Sequence, residues 1–473
     1  MKKLLSLTLS TLLLLTPITV FANSAQTYFQ GISPTGTMMT GEQSPLVVEH
    51  EQLTFDLQEF PLAYYEEEAE YLAYSGKVTA EYTFHNPADY DVTAKLAFPF
   101  GQTPDYGFFY QQTYAPDAEK YDVLVDGEPV ESTVRHTLFY RGDKFELEKD
   151  LPNLHDGYME DDFWNFDTPV TKYTWEISGI DEEEFSAARL GFWWNGDAAE
   201  RKLMLMNQNG GNNSKKKIAV TRWVENGDEI EVYVFGKPLE QELEWFSENG
   251  SKDTPFDYEL TFLGTETATY EEFVFADWEE NSTILRQDWY NAVTQNLKFC
   301  EWDFGILGSF EYTGRFPVEN LLRWYEYEIT IPAGGTIVNT VTAPMYPTMD
   351  TRYEPPIYEY TYLLSPAKTW LDFGKLDVVV NTPYFVMESG GAFSFEKTEN
   401  GYAVSLDGLP DEELTFTLSA DPSAKPPSDL SVIGEVIGAV LGSIFKVVGG
   451  ALIFMAVSVV LIVVIVVKKQ KKK

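Results

Sequence analysis

The chain has 473 residues, of which 74 are Asp or Glu and 34 are Lys or Arg, so its formal net charge is −40. A surface this acidic excludes a nucleic-acid-binding role, because phosphates must be met by clustered Lys and Arg side chains. One cysteine and four scattered histidines exclude a disulfide framework and a multi-cysteine metal site, and an aromatic content of 15% is typical of a folded chain.

The first 22 residues have the pattern of a secretory signal peptide. Two lysines precede a long apolar run, and residues suited to cleavage end at Ala22. Cleavage after Ala25 is the alternative. Residues 23–45, which are rich in Gly, Ser, Thr and Pro from residue 30 onward, are predicted to form a flexible leader.

From residue 46 the sequence predicts short strands separated by turns. Apolar and polar residues alternate over 78–84 and 92–98, which is the period of a half-buried strand. Asp126-Gly127 predicts a hairpin turn, and NQNGGNNS at 207–214 predicts a hairpin loop. Further predicted strands are 170–177, 188–194, 201–206, 216–224, 229–235 and 257–263. This spacing favours an antiparallel β-sandwich, so residues 46–265 are predicted to form an N-terminal β domain.

Helices interrupt the strand pattern after residue 265. The run 284–298 lacks Gly and Pro and has helical apolar spacing, 316–324 is predicted to be a second short helix, and Ser365-Pro366 opens a third that ends at Gly374. The strands predicted here are 325–331, 336–343, 376–380, 402–406 and 413–418. Residues 266–420 are therefore predicted to form a C-terminal β domain with a few short helices, which makes the fold mostly β with two antiparallel sandwich-like domains.

The C-terminal end predicts a membrane anchor. After a Pro-rich stalk at 421–431, Val447 to Val467 is a run of 21 residues without a charge, which as a helix spans about 31 Å. The residues at 468–473 are five lysines and a glutamine, and positive flanks stay cytoplasmic, so the bulk of the chain is expected outside the cell. We therefore predict a single-pass cell-membrane protein.

A juxtamembrane helix is predicted over 432–446. Gly434, Gly438 and Gly442 recur every four residues in it, so a helix here carries a stripe of small residues that lets a second copy approach closely. This pattern indicates a possible homo-oligomer contact, and a flexible linker to the span is the alternative.

The charge of the exterior part indicates where the protein works. Seven of the 34 basic residues lie in the signal and the tail, which leaves 27 against all 74 acids between them, a net charge of −47. An exported chain with one C-terminal anchor and no disulfide is typical of a bacterial surface, and a Gram-positive source is the simplest interpretation.

Three runs in the exterior part carry a resemblance to a known family. TAEYTFHNPADYDVTAKLAFPFGQTPDYG (79–107), RWYEYEITIPAGGTIVNTVTAPMYPT (323–348) and YEPPIYEYTYLLSPAKTWLDFG (353–374) resemble an uncharacterised family of clostridial surface proteins. The resemblance implies a signal, a large β-rich extracellular part and one C-terminal span. That family has no assigned activity, so no site residue follows from it.

The densest acidic cluster is a candidate cation site. Hard cations such as calcium prefer several oxygen ligands that converge on one point, and a loop of this composition can supply them. The cluster consists of Asp156, Glu160, Asp161, Asp162 and Asp167. The spacing is not that of an EF-hand, and a solvated acidic loop is the alternative.

Several tryptophans are candidates for a binding surface. Sugar rings stack on aromatic side chains, and Trp164, Trp193-Trp194 and Trp223 could form such a platform, with packing in the core as the alternative for each. Since adjacent strand residues point to opposite faces, only one of Trp193 and Trp194 is expected in the core. No nucleotide-binding, serine-hydrolase or HExxH motif occurs. We therefore expect a non-enzymatic surface protein that binds a cell-wall glycan, a protein partner or a cation, and the alternative is a membrane-anchored carbohydrate-active hydrolase.

Overall fold

The computed structural model describes residues 28–29, 37–40, 44–60, 76–101, 122–139, 145–250, 254–276, 278, 283–308 and 321–425. The protein is mostly β, as the sequence predicts. Within these ranges no helix combines the length and the apolar character needed to cross a membrane. The predicted signal, the juxtamembrane glycine stripe, the span 447–467 and the basic tail lie outside the described residues.

Strands before residue 140 are β1 (Tyr28–Phe29), β2 (Met38–Met39), β3 (Val47–Asp56), β4 (Lys77–His85), β5 (Val92–Gly101), β6 (Asp122–Val125), β7 (Glu128–Pro129) and β8 (Ser132–Leu138). Strands between 145 and 308 are β9 (Pro169–Ser178), β10 (Ala188–Trp194), β11 (Arg201–Leu205), β12 (Gly210–Asn213), β13 (Ile218–Trp223), β14 (Glu229–Gly236), β15 (Glu244–Asn249), β16 (Glu259–Thr269) and β17 (Ile306–Leu307). Strands after residue 320 are β18 (Leu321–Ile331), β19 (Thr336–Pro344), β20 (Thr348–Asp350), β21 (Ile357–Tyr362), β22 (Phe373–Asn381), β23 (Phe385–Ser389), β24 (Glu396–Lys397), β25 (Gly401–Asp407) and β26 (Leu414–Ser419).

The helices are short. They are α1 (Leu147–Asp150), α2 (Tyr270–Phe275) and α3 (Arg286–Phe299), with 3-10 turns at Leu151–Asn153, Asp303–Gly305 and Ser365–Thr369. Thr269 and Glu272 form a capping box that starts α2: the Glu272 amide donates to the Thr269 hydroxyl at 3.2 Å, and the Thr269 amide donates back to the Glu272 carboxylate at 2.8 Å.

Residues 28–139 and 321–425, which we call the flanking segments, together form three sheets. The largest has eight strands in the order β24-β25-β22-β3-β4-β19-β6-β7, and the others have the orders β2-β5-β18-β8 and β1-β20-β21-β26-β23. One hydrophobic core contains the inward side chains of all three. Strands on either side of residue 265 are therefore neighbours in one sheet, and β3 pairs with β22 in parallel.

Residues 145–308, which we call the inserted segment, form a sandwich of their own. The two sheets have the orders β12-β13-β10-β15 and β16-β9-β14-β11-β17, and their inward side chains share a second core. The pairing of β11 with β17 is parallel, so two strand pairs depart from the predicted antiparallel pattern. The segment begins and ends beside paired strands of the flanking sheet, because Leu138 of β8 is the register partner of Leu321 of β18.

A charged junction joins the inserted segment to the flanking sheet. The guanidinium of Arg135 on β8 is buried and contacts Asp288 of α3 through Nε and Nη2, at 3.0–3.1 Å. Its Nη1 reaches Glu326 on β18 and Asp156, both at 3.1 Å. Lys95 on β5 completes the junction, at 2.9 Å from Asp156 and 3.0 Å from Glu326. Five charges from separate elements thus hold the two parts together.

A buried carboxyl group lies in the core of the flanking segments. Glu51 is fully buried and is the register partner of Tyr82, which in turn pairs with Asn339, so the three side chains form one row across the eight-stranded sheet. The Tyr82 hydroxyl lies 3.2 Å from that of Tyr362 and accepts from the Thr37 amide at 3.1 Å. Neither oxygen of Glu51 has a hydrogen-bond partner within the described residues. Burial raises the pKa of Glu51 to about 8, and the neighbouring Tyr82 hydroxyl only partly offsets it.

Three local predictions differ from the structure. Residues 321–324, the described part of the predicted second helix, begin β18 instead, because this strand pairs with β5 and β8 and its first four residues are all buried, without the alternation of a half-buried strand. Four residues of the predicted loop 207–214 form the edge strand β12. The third helix stops at Thr369, and Gly374 lies within β22, where a Cβ would be 2.2 Å from the Glu49 carbonyl oxygen.

The predicted flexible leader contributes two short strands. Met38 is fully buried, and β2 pairs with β5 through Ala97 and Leu96. The apolar side chains of Met38 and Met39 explain this difference, because both enter hydrophobic clusters of the flanking segments. The Asp126-Gly127 turn is confirmed: both residues have positive φ, at 50° and 83°, and they join β6 to β7.

Candidate functional site

Side chains along β10 point alternately into the core of the inserted segment and outward. Leu190, Phe192 and Trp194 are buried in the core between the two sheets. The indole Nε1 of Trp194 donates to the Phe304 carbonyl oxygen at 2.9 Å. Trp193 points the other way and is partly exposed, so the prediction that only one of the two tryptophans enters the core is confirmed.

The outward side of the four-stranded sheet is what we call the aromatic face. Its members alternate with the core residues along each strand and are matched by the strand register. They are Arg189, Gly191 and Trp193 of β10, Ala219, Thr221 and Trp223 of β13, Glu244, Phe246 and Glu248 of β15, and Gly210 and Asn212 of β12.

A glycine lets the central aromatic ring of this face lie flat on the sheet. Phe246 is the register partner of Gly191, and a Cβ at Gly191 would lie 2.9 Å from the Phe246 ring and 2.6 Å from Thr221 Cγ2. The rings of Phe246 and Trp193 are 5.5 Å apart and tilted by 35°. The two rings therefore form a continuous apolar band across β10 and β15.

Trp223 forms the second end of the aromatic face. Its side chain is 50% exposed, and it lies four residues along β13 from the partner of Trp193, about 13 Å at roughly 3.3 Å per residue. The guanidinium of Arg189 lies over its ring at 5.2 Å, forms an ion pair with Glu248 and donates to the Gly250 carbonyl oxygen at 3.2 Å. These contacts hold the exposed indole in a fixed position.

Lys217 contacts Trp193 in the way that Arg189 contacts Trp223. Its ammonium lies 4.3 Å from the centre of the Trp193 ring and 3.2 Å from the Glu244 carboxylate. Each exposed tryptophan is therefore flanked by one cation and one carboxylate. Between the two ends, the Thr221 hydroxyl and Arg189 Nε have no hydrogen-bond partner within the described residues.

The carboxylates of this face are too far apart for glycoside hydrolysis. Glu244 and Glu248 are four residues apart on β15, which separates their backbone positions by about 13 Å, and their carboxylates pair with cations at opposite ends of the face. A retaining enzyme needs its carboxyl groups about 5–5.5 Å apart and an inverting enzyme about 6.5–9.5 Å. Asp288 and Glu326 do converge, but the buried guanidinium of Arg135 lies between them. Neither of these carboxylate pairs therefore has the arrangement of a glycosidase site.

The predicted calcium residues are engaged in other contacts. Asp156 is paired with Lys95 and Arg135, and this pairing lowers its pKa. Asp161 pairs with Lys298 at 2.6 Å and accepts from two amides of its own loop. Glu160 Oε1 accepts from the Phe166 amide at 2.9 Å.

Asp162 and Asp167 form hydrogen bonds with the Asn165 side chain through their backbones. The Asp162 carbonyl oxygen accepts from the Asn165 amide group, and the Asp167 amide donates to Asn165 Oδ1. Within the ranges that the structure describes, no three His, Cys, Asp or Glu side chains are grouped to hold a metal. Calcium binding by this loop stays a prediction.

Sequence reasoning found part of the aromatic face. Trp193 and Trp223 lie on it, whereas Trp164 is buried in a core beside Tyr270 and Phe235. Phe246 and Arg189 were not singled out from the sequence. Phe246 directly follows Trp245, which packs on the core, so the alternation along β15 was the signal that could have found it.

Neither the models of protein families nor the curated protein sequences match this chain. Among solved structures, a crystal structure of a protein from Legionella pneumophila, provisionally described as a nutrient binding protein, aligns with 83% of this chain and 72% of its own. The two sequences are 12% identical over the alignment, and the TM-score is 0.35. A likeness of this degree carries no conclusion about fold or ligand.

Proposed function

We propose that this chain is a non-enzymatic surface protein that binds a glycan on the aromatic face of its inserted segment. The observation that carries the proposal is the row of Trp193, Phe246 and Trp223 on one outward sheet face. The C–H faces of sugar rings pack on aromatic rings, while the sugar hydroxyls need polar partners at the rim. Arg189 and Lys217 supply donors, and Glu244 and Glu248 supply acceptors.

The spacing of the two ends suits a polysaccharide better than a single sugar. A separation of about 13 Å between the two tryptophans lets several linked rings lie along the face. An open, flat sheet face also admits the middle of a long chain, which a closed pocket does not. The ligand expected here is therefore a polymer such as a cell-wall glycan.

Alanine at either exposed tryptophan should weaken glycan binding about tenfold, and the double variant Trp193→Ala/Trp223→Ala should abolish it. Binding is measured by retention on chitin, xylan, peptidoglycan, polygalacturonate and methyl-esterified polygalacturonate. Because Trp223 is half exposed and Trp193 partly exposed, both variants should keep their thermal midpoints close to that of the unmodified protein.

Tyr90→Ala is the matched control, since Tyr90 is an aromatic residue that is 58% exposed in a flanking segment. This variant should bind like the unmodified protein. Retention of none of the five polysaccharides by the unmodified protein, or unchanged binding by the folded double variant, would overturn the proposed function.

The same proposal places the protein in the cell membrane with its bulk outside. It rests on the uncharged run 447–467 and the lysines that follow it, and the resemblance to clostridial surface proteins agrees with it. Protease added to intact cells should release most of the chain and leave a small membrane-bound fragment. Protection of the bulk in intact cells, with digestion after lysis, would contradict this orientation.

A further inference from the structure

The hairpin that joins β12 to β13 brings a basic cluster to the Trp193 end of the aromatic face. Its turn contains Lys215, Lys216 and Lys217 in succession, directly after Ser214. The Ser214 hydroxyl donates to the Lys217 carbonyl oxygen at 2.7 Å and accepts from the Lys217 amide at 3.1 Å, so the turn is closed on itself.

Two of these lysines lack a local counter-charge. Lys217 is committed to Glu244, whereas Lys215 and Lys216 are exposed and form no salt bridge with any described residue. Elsewhere the chain carries more than two acids for each base, and most described lysines on its surface have a carboxylate partner, as Lys237 does with Glu200 at 2.7 Å. Two adjacent lysines without a carboxylate partner, next to an aromatic surface, are therefore a local exception on an otherwise acidic molecule.

We infer that the glycan bound by the aromatic face is an acidic polysaccharide that carries its charge as ring carboxylates. This inference rests on the proposed function and specifies its ligand. Lys215 and Lys216 would meet the carboxylates of a chain whose rings stack on Trp193 and Phe246. A polymer of phosphate-linked polyols offers the same negative charge but has no sugar ring in its backbone to stack, so the aromatic band favours the uronate polymer.

Charge complementarity also explains why the cluster lies at this place. The acidic surface repels a polyanion in general, and at physiological ionic strength fields are screened within about 8 Å. Only a local group of cations can then offset that repulsion, and it must lie within this distance of the bound chain. The turn that carries Lys215 and Lys216 lies at this end of the face, because the ammonium of the next residue, Lys217, lies 4.3 Å from the Trp193 ring.

The test compares two ligands with the same sugar backbone, polygalacturonate and its methyl ester, in which the ring carboxylates are replaced by neutral esters, on the full-length protein. Lys215→Glu/Lys216→Glu should weaken binding of polygalacturonate about tenfold at low salt and leave binding of the methyl ester unchanged. The loss should shrink at about 1 M salt, where the Debye length is about 3 Å. Lys77→Glu/Lys375→Glu, which changes the net charge equally in the eight-stranded sheet, is the control and should have no effect.

Each other outcome is decisive. Equal binding of both ligands with no effect of the lysine reversal overturns the acidic ligand and leaves the proposed function standing. Equal losses in the control variant, or equally tight binding of a glycerol phosphate polymer that survives Trp193→Ala, also overturn it, because they indicate general polyanion binding. Failure of all polysaccharides to bind overturns the proposed function itself.

Discussion

Replacing Asp288 with alanine is expected to lower the free energy of unfolding by about 3 kcal/mol, because the buried guanidinium of Arg135 loses its bidentate carboxylate partner. The loss stays at the low end of the usual range, since Glu326 and Asp156 still contact Arg135. The backbone amide of His136, which donates to Asp288 at 2.8 Å, loses its acceptor as well. Urea unfolding followed by tryptophan fluorescence measures the change.

An exposed ion pair between α2 and α3 provides the matched control. Arg286 pairs with Glu271 at 2.9 Å, but both side chains are more than 40% exposed, so Glu271→Ala should cost at most about 1 kcal/mol. A double replacement of Arg135 by Met and Asp288 by Leu should cost less than Asp288→Ala alone, since the buried guanidinium is removed and Glu326 keeps Lys95 as its partner. Equal effects of Asp288→Ala and Glu271→Ala would show that the junction does not hold the two parts together.

Replacing Glu51 with glutamine is expected to stabilise the protein above about pH 5, by a margin that grows with pH and reaches a few kcal/mol near pH 8. Burial raises the folded-state pKa of Glu51 from 4.5 to about 8, so the folded chain binds a proton that the unfolded chain has released between these values. Stability therefore falls as the pH rises through this window. The neutral amide of glutamine does not titrate, so the variant lacks this loss of stability with rising pH.

The neighbours of Glu51 do not titrate in the same window. Burial raises the pKa values of Tyr82, Tyr362 and Tyr327, so all three phenols stay neutral. Unfolding free energies measured in urea between pH 5 and pH 9 should give two curves that diverge with rising pH. Glu49→Gln, which replaces an exposed side chain on the same strand, is the control and should change the free energy of unfolding by no more than about 0.5 kcal/mol. Parallel curves for the Glu51 variant would contradict the raised pKa.

Local patterns in the sequence predicted much of the strand content, because alternation reports which face of a strand is buried. Strands such as β4 and β10 follow that period, and the Asp126-Gly127 turn follows from its φ requirements. The pattern was misleading at the start of β18, where residues 321–324 are buried on both faces and give a run that also suits a helix.

The arrangement of strands in space could not be predicted from the same information. Nothing local in β3 indicates that it pairs with β22, more than 300 residues later, since any apolar strand is a suitable partner. For the same reason, only part of the aromatic face could be predicted from the sequence. Trp193 and Trp223 were recognisable by residue type, but Phe246 joins them only through the register of β15 against β10.

The parallel pairing of β3 with β22 has a consequence for synthesis on the ribosome. At roughly 5–20 residues per second, β22 follows the end of β3 by about 15–60 s. During that interval the β3–β4 hairpin has both edges open, because β19 and β22 do not yet exist, whereas the inserted segment can already complete both of its sheets. As the chain emerges, β3 and β4 therefore wait longest for their outer partners, which makes this apolar pair of strands the place where neighbouring copies would mispair.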